Sequence, residues 1–246
     1  MNLDALWHVL ECGPYEEDLP LWRALADEAG GPVLDIGAGT GRVTLDLAGR
    51  GVPVLALDRE AALLEALGRR AADLPVQTAV ADARRFALGR RFALVVVPMQ
   101  TLQLLGGADG RAAFLRCAHD HLEPGGRVAA ALADAMDCFD DDHPLPPPPA
   151  AAQLAGVRYA TQLLGVADEG GRAVLHRRRE VIGPGECYAA QDVALELDRV
   201  TPDEVEAEAR RLGFTAEPRR FVGETEEYLG STVVVLRAAA RRLRSA

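Results

Sequence analysis

Three glycines at alternate positions, Gly37, Gly39 and Gly41, follow a four-residue apolar run at 33–36 and precede a helical pattern. A turn this tight needs residues that accept positive φ and carry no Cβ. It brings backbone close to a ligand at the amino end of a helix, where N–H groups without intrahelical partners and the helix dipole lie. Asp35 sits at the strand end before the turn, and Asp58 and Asp82 close the next two strand-like runs. A carboxylate in the position of Asp58 can accept two hydrogen bonds from ribose hydroxyls, although an Asp there also caps the helix that follows. At Asp82 a carboxylate can take an exocyclic amine of adenine while the N–H of Ala83 donates to a ring nitrogen. The chemistry these residues suit is the holding of a nucleotide-like cofactor. Dinucleotide sites usually show G-x-G-x-x-G; here the third glycine comes one place earlier.

The elements that must position these residues read as an alternation. Residues 2–11 and 16–29 form two helical patterns, the first with Leu3, Leu6, Trp7 and Leu10 on one face. Strands are predicted at 33–36, 52–57, 76–80, 92–97 and 127–132, with helices at 40–50, 60–72 and 111–122 between them. Strands apolar on both faces and separated by helices specify a parallel sheet covered on both sides. Pro124-Gly125-Gly126 reads as a turn into the fifth strand. The alternation stops at Asp134, where an acidic, proline-rich stretch over 134–150 predicts an extended linker or lid. Three runs at 157–166, 172–182 and 188–198, punctuated by glycines, predict an antiparallel insert. Thr201, Pro202 and Glu204 spell a capping box and a helix start, and strands at 214–221 and 231–236 close the chain. One domain therefore divides into a helical cap (1–30), a cofactor-binding core (31–133), an inserted lid (134–198) and a closing helix with two strands (199–246).

Composition bounds the function classes. With 246 residues, 49% of them hydrophobic and 26% charged, the chain can bury a full core. It carries a net charge of −10, and all 27 basic side chains are Arg. Such an acidic chain lacks the basic face that nucleic-acid backbones require, and the short run Arg177-Arg178-Arg179 does not reverse that. No apolar run is long enough to span a membrane, and no signal peptide is evident, so neither a nucleic acid nor a membrane is expected as a partner. Four scattered cysteines, at 12, 117, 138 and 187, read as reduced thiols of a cytoplasmic protein.

Taken together, Val33–Arg42 with its Leu-Asp-Ile-Gly-Ala-Gly-Thr-Gly-Arg, Leu57-Asp58, Asp82, the strand 92–97 with Met99-Gln100-Thr101 after it, and His121-Leu122-Glu123-Pro124-Gly125-Gly126-Arg127 resemble the class I S-adenosylmethionine-dependent methyltransferases of the small-molecule type. The resemblance covers residues 30–133. It implies a Rossmann-like, doubly wound seven-stranded α/β sheet in the order 3-2-1-4-5-7-6, strand 7 antiparallel, with an antiparallel β insert after strand 5. It implies S-adenosyl-L-methionine as cofactor and S-adenosyl-L-homocysteine as product. Asp35, Gly37, Ala38, Gly39 and Gly41 would then lie along the methionine part, Asp58 and Arg59 at the ribose, and Asp82 and Ala83 at adenine. Pro98, Met99 and Gln100 would line the methyl-transfer mouth. Tyr15 would reach the cofactor as tyrosines ahead of the first strand do in related enzymes; the alternative is packing on Trp22.

Two subtypes lose support through absences. Val97-Pro98-Met99-Gln100 departs from the Asp/Asn-Pro-Pro-aromatic signature of nucleic-acid amino-methyltransferases, and no Pro-Cys nucleophile is present. The acidic cluster within 134–143 reads as solvated, and no metal is assigned. His119 and His121 close a helix and read as structural. His143, Tyr159, Tyr188, Glu224 and Tyr228 are candidates for the acceptor side, and no residue is assigned as a catalytic base. The expected function is methyl transfer to the nitrogen or oxygen of a small-molecule acceptor, with a homodimer compatible. A non-catalytic cofactor-binding or partner-binding module on the same fold is the alternative. A nicotinamide-dependent oxidoreductase is disfavoured by the glycine spacing and by the absence of lysine for a Tyr-x-x-x-Lys pair.

Overall fold

The computed structural model describes residues 2–133, 149–183, 186–224 and 230–239. The acidic, proline-rich stretch with His143, and Tyr228, lie outside the described residues. Two helices, α1 (Leu3–Cys12) and α2 (Leu19–Ala29), precede an alternation of β1 (Val33–Ile36), α3 (Arg42–Gly49), β2 (Val54–Asp58), α4 (Ala61–Arg70), β3 (Val76–Val80), β4 (Phe92–Val97), α5 (Gly107–His121) and β5 (Leu122–Leu132). The insert follows as β6 (Ala150–Leu154), β7 (Val157–Glu169), β8 (Arg172–Gly183) and β9 (Glu186–Asp198). Helix α6 (Pro202–Arg211) and strands β10 (Phe214–Val222) and β11 (Ser231–Ala238) complete the described elements.

The main sheet has seven strands in the order β10-β11-β5-β4-β1-β2-β3. Strands β1 to β5 run parallel, and β11 enters antiparallel between β5 and β10. This is the order and the single reversed strand expected from the resemblance. The uniformly apolar strands are explained by what lies on each face. Leu34, Ile36, Val95 and Val97 pack toward Phe114 and Leu115 of α5 and Val205 of α6. Val33, Leu94 and Val96 point the other way, onto Trp22 and Leu25 of α2 and Val43 and Leu47 of α3. Each such side chain, fully removed from water, contributes about 1.5–3 kcal/mol before entropy is subtracted.

The insert is a four-stranded antiparallel sheet, β6-β7-β8-β9. Three strands were expected; the fourth, β6, starts at the last residue of the expected linker and runs through residues assigned to no element. Its Ala150-Ala151-Ala152 lacks the branched and aromatic residues that mark a strand. The Pro124-Gly125-Gly126 segment is likewise not a turn ahead of β5 but a bulge inside it: Phe92 pairs with Leu122, and Leu94 already pairs with Arg127. Helix α5 begins at Gly107, earlier than its glycine-containing first turn suggested. The capping box at α6 forms as read, with Thr201 and Glu204 each bonded to the other's backbone N–H.

The insert is held at both ends. Leu6, Trp7 and Leu10 of α1 cluster with Ala152, Tyr159 and Val181, and the Trp7 and Tyr159 rings meet edge to face with centroids 5.8 Å apart. The Arg179 guanidinium donates to both oxygens of Glu11 at 2.7 and 2.8 Å. At the opposite end Val166, Ala173 and Leu197 pack on Ala133, just past β5. Buried Gln103 ties that end down: its amide donates to the carbonyls of Ala133 and Asp198 and accepts from the Ala133 N–H.

Candidate cofactor site

The glycine turn joins β1 to α3 at the carboxyl edge of the sheet. Gly37, Gly39 and Gly41 all have positive φ, at 69°, 55° and 89°. Each is also a point of close approach: an added Cβ would lie 2.6 Å from Thr101 at Gly37, 2.2 Å from the His8 ring at Gly39 and 2.2 Å from Leu67 at Gly41. The turn therefore requires glycine for both conformation and space.

Its N–H groups are not unpartnered, as the sequence reading supposed. Those of Gly37 and Ala38 donate to the Leu57 carbonyl at 2.9 and 3.1 Å, and that of Gly41 to the Ala38 carbonyl at 2.9 Å. The Gly39 N–H donates to Asp58 at 2.8 Å. A phosphate cradle needs such groups to face the ligand. Here they are spent on folding the turn against β2.

What the strand ends offer instead is acceptors. Asp35 is 1% exposed. One of its oxygens accepts from the Thr44 hydroxyl at 2.7 Å, and the other is buried without a hydrogen bond. Burial pushes this carboxyl up to about 7, opposed by the Thr44 hydrogen bond. The Asp58 carboxylate accepts from the N–H groups of Gly39 and of Glu60 (2.9 Å), one on each oxygen. It thus closes a turn ahead of α4, whose N-cap is Glu60 and which has no side-chain cap bond, while retaining lone pairs. Asp82 receives the Arg84 guanidinium on both oxygens at 2.6–3.1 Å, and these bonds hold it down to about 2. Arg59 directs an exposed side chain outward, 3.3 Å from Glu60. Ala83 packs at the edge of the core.

After β4 the chain turns sharply. Pro98 is buried, and Met99 and Gln100 are half-buried. Met99 has φ 55°, a left-handed conformation costly for a side chain with a Cβ. Tyr15 is buried, with the Arg42 guanidinium 5.0 Å above its ring. Burial drives that phenol up to about 12. Arg42 also donates to the Tyr15 carbonyl and, with two nitrogens, to Asp18. Asp18 accepts from the Trp22 indole as well, at 2.7 Å.

Three residues were given no role in the sequence reading. His8 on α1 lies over Gly39 and bonds through Nδ1 to the Thr40 hydroxyl at 3.1 Å. Thr101 lies against Gly37, and Gln103 joins the insert to β5. No local pattern in α1 signalled the first. Among the acceptor-side candidates, Tyr159 is built into the α1 contact, whereas Tyr188 is exposed over Gly183 and Glu224 is exposed.

The His119 and His121 pair has structural work. His119 packs edge to face on Phe214, and His121 accepts from the Leu88 N–H at 3.0 Å while bonding the Cys117 carbonyl through Nδ1. Among the described residues no group of three or more His, Cys, Asp or Glu could hold a metal ion. A depression of about 450 Å³ lined by Glu28, Glu123, Arg127 and Arg237 opens at the amino edge of the sheet, away from the glycine turn. Its charges are already paired: Arg127 with Glu28 at 2.9 Å and Arg237 with Glu217 at 2.5 Å. No described helix is long and apolar enough to cross a membrane.

The sheet order is that of the Rossmann-like fold found in solved methyltransferase structures. Residues 33–126 match the family described as Methyltransferase domain. A cypemycin N-terminal methyltransferase from a Streptomyces species is 31% identical over 157 residues, which are 59% of this chain and 58% of the relative. A probable cobalt-precorrin-6B C(15)-methyltransferase (decarboxylating) from Methanothermobacter thermautotrophicus is 33% identical over 124 residues, 44% of this chain and 58% of the relative. The chain thus aligns with less than two thirds of the length of either curated relative. Among solved structures, the sugar N-methyltransferase KedS8 from a Streptoalloteichus species superposes with a TM-score of 0.74 at 16% identity, covering 97% of this chain and 93% of that one. The CcbJ methyltransferase of Streptomyces caelestis gives 0.69 at 21% identity, covering 92% and 98%.

Proposed function

We propose that the protein transfers a methyl group from S-adenosyl-L-methionine to the nitrogen or oxygen of a small-molecule acceptor, releasing S-adenosyl-L-homocysteine. The observation that carries this reading is the polarity of the strand ends. The N–H groups of Gly37, Ala38, Gly39 and Gly41 are consumed internally, while Asp35 and Asp58 keep acceptor positions at the carboxyl edge and Asp82 stands at that edge paired with Arg84. Such an edge suits a ligand that brings an ammonium, ribose hydroxyls and an adenine amine, and offers little to a diphosphate. The match of residues 33–126 to a methyltransferase domain supports the same cofactor.

When bound, the cofactor supplies a methyl group already activated as a sulfonium. The residues of this chain hold and shield it. Asp35 takes the ammonium on the oxygen that has no other partner, Asp58 takes the ribose, and Asp82 with Ala83 takes the adenine edge. Pro98, Met99 and Gln100 border the opening, and the insert, braced on α1, covers the acceptor and keeps water out. Positioning an acceptor atom in line with the methyl then supplies most of the acceleration. A neutral amine needs no base before it attacks. Amine acceptors are further favoured because the similar proteins include ones described as a sugar N-methyltransferase and a glycopeptide N-methyltransferase.

Thermal-shift measurements with S-adenosyl-L-methionine, S-adenosyl-L-homocysteine and NAD(P), followed by labelled-methyl transfer to a panel of amino sugars, peptides and phenols, test the reading. Stabilisation by the first two and label in an amine is the expected outcome. Stabilisation by NAD(P) alone would sink the cofactor assignment, and binding without turnover on any acceptor would favour a non-catalytic module.

A further inference from the structure

We infer that His8 is a cofactor contact, sharing with Asp58 a ribose hydroxyl of the bound ligand; this rests on the cofactor reading above. The imidazole is lodged on the turn itself. A Cβ on Gly39 would fall 2.2 Å from both Cε1 and Nε2, so the Nε2 edge of the ring lies against the turn residue whose N–H is given to Asp58. Nδ1 is engaged with the Thr40 hydroxyl at 3.1 Å. Nε2 has no hydrogen-bond partner among the described residues.

The ring is held in place by more than that bond. Ala5, one turn earlier on α1, packs against Leu63 and Ala66 of α4. On the other side of the helix Trp7 is fixed by the insert. Burial disfavours the imidazolium and lowers the pKa of His8 from its usual value, in a setting that also contains Asp58, Glu11, Arg42 and Arg179. A neutral ring with Nδ1 accepting from Thr40 carries its proton on Nε2, where it is a donor.

The stereochemistry of a hydroxyl completes the argument. A ribose hydroxyl bound to Asp58 gives its only proton to the carboxylate and keeps two lone pairs. Nε2–H supplies the donor that the turn, its N–H groups already spent, does not. His8 would therefore add a second bond to the same hydroxyl and link the grip on the cofactor to the seating of α1.

The test is calorimetric binding of S-adenosyl-L-homocysteine, and of its 2′-deoxy and 3′-deoxy ribose analogues, to the wild-type chain, His8→Ala and His8→Gln at pH 7.5. For the parent ligand we expect His8→Ala to weaken binding about three- to tenfold, the range of one neutral hydrogen bond. One deoxy analogue should lose a similar factor on the wild type and little further on His8→Ala, a coupling that a purely structural histidine does not produce. His8→Gln, whose amide offers a donor at similar reach, should recover part of the affinity; it also serves where His8→Ala fails to fold. Equal losses for both deoxy analogues on wild type and variants overturn the His8 contact while leaving the cofactor reading intact. No binding of the parent ligand by the folded wild-type chain overturns the cofactor reading itself.

Discussion

Asp35 couples the site to stability at the level of one atom. Its folded pKa is raised to about 7 by burial, so between about pH 4 and 7 the folded chain keeps a proton that the unfolded chain has released. The stability contribution of this group is thus greatest at the acid end of that window and is lost as pH rises toward 7. Asp35→Asn retains an acceptor for the Thr44 hydroxyl and never ionises. We expect it to be more stable than wild type at pH 8 by about 1–3 kcal/mol, the cost of an unsatisfied buried polar group, and to match wild type near pH 4. Urea titrations at the two pH values measure the difference, and a gap that does not change with pH would contradict this account. On the proposed assignment of Asp35 to the ammonium, the same substitution should weaken S-adenosyl-L-methionine binding, because the neutral amide cannot act as its anionic partner. The turn glycines, Asp35 and the acidic strand ends were legible in the sequence because turn, strand end and helix start are local features. His8 was not, since its partner Gly39 lies 31 places along the chain and nothing in Leu3–Cys12 marks it.

At the scale of elements, α1 is the piece that touches both the glycine turn and the insert. Glu11 accepts the Arg179 pair and also the Thr161 hydroxyl at 3.0 Å, in a contact where the Glu and Arg side chains are only 13% and 24% exposed. Glu11→Ala should therefore cost about 1.5–3 kcal/mol of docking, the range for hydrogen bonds to charged groups, while the main sheet stays folded. Amide hydrogen exchange is expected to speed up in α1, β7 and β8 and to remain unchanged in β1 and β4; uniform acceleration or none would refute it. The strands of the core were readable because each is apolar on both faces. The insert was readable only in part: β7 to β9 show glycine-punctuated runs, whereas alanine-rich β6 carries no strand signal. Gln103 shows the limit of such reading. Its partners are 30 and 95 residues away, and no local pattern records a hydrogen bond of that span.

Across the whole molecule, two classes of contact differ in how much chain they enclose. The parallel pairs of β1 to β5 are made within residues 33–132, whereas the Glu11–Arg179 contact closes a loop of 168 residues. Longer loops cost more entropy and form later. Pulse-labelling exchange during refolding should protect β1, β2 and β4 before α1, and early protection of α1 would reverse that order. The place of β11 carries a further consequence. It sits between β5 and β10 and buries Val233 and Val234 against the middle of the sheet, yet it is read out by the ribosome about a hundred residues after β5, its neighbour on the other side. Until it arrives, the nascent chain holds β5 as an apolar strand with one edge unpaired, a template for adhesion to other chains. Throughout that interval of synthesis the growing polypeptide exposes the β5 edge to pairing with strands of other chains.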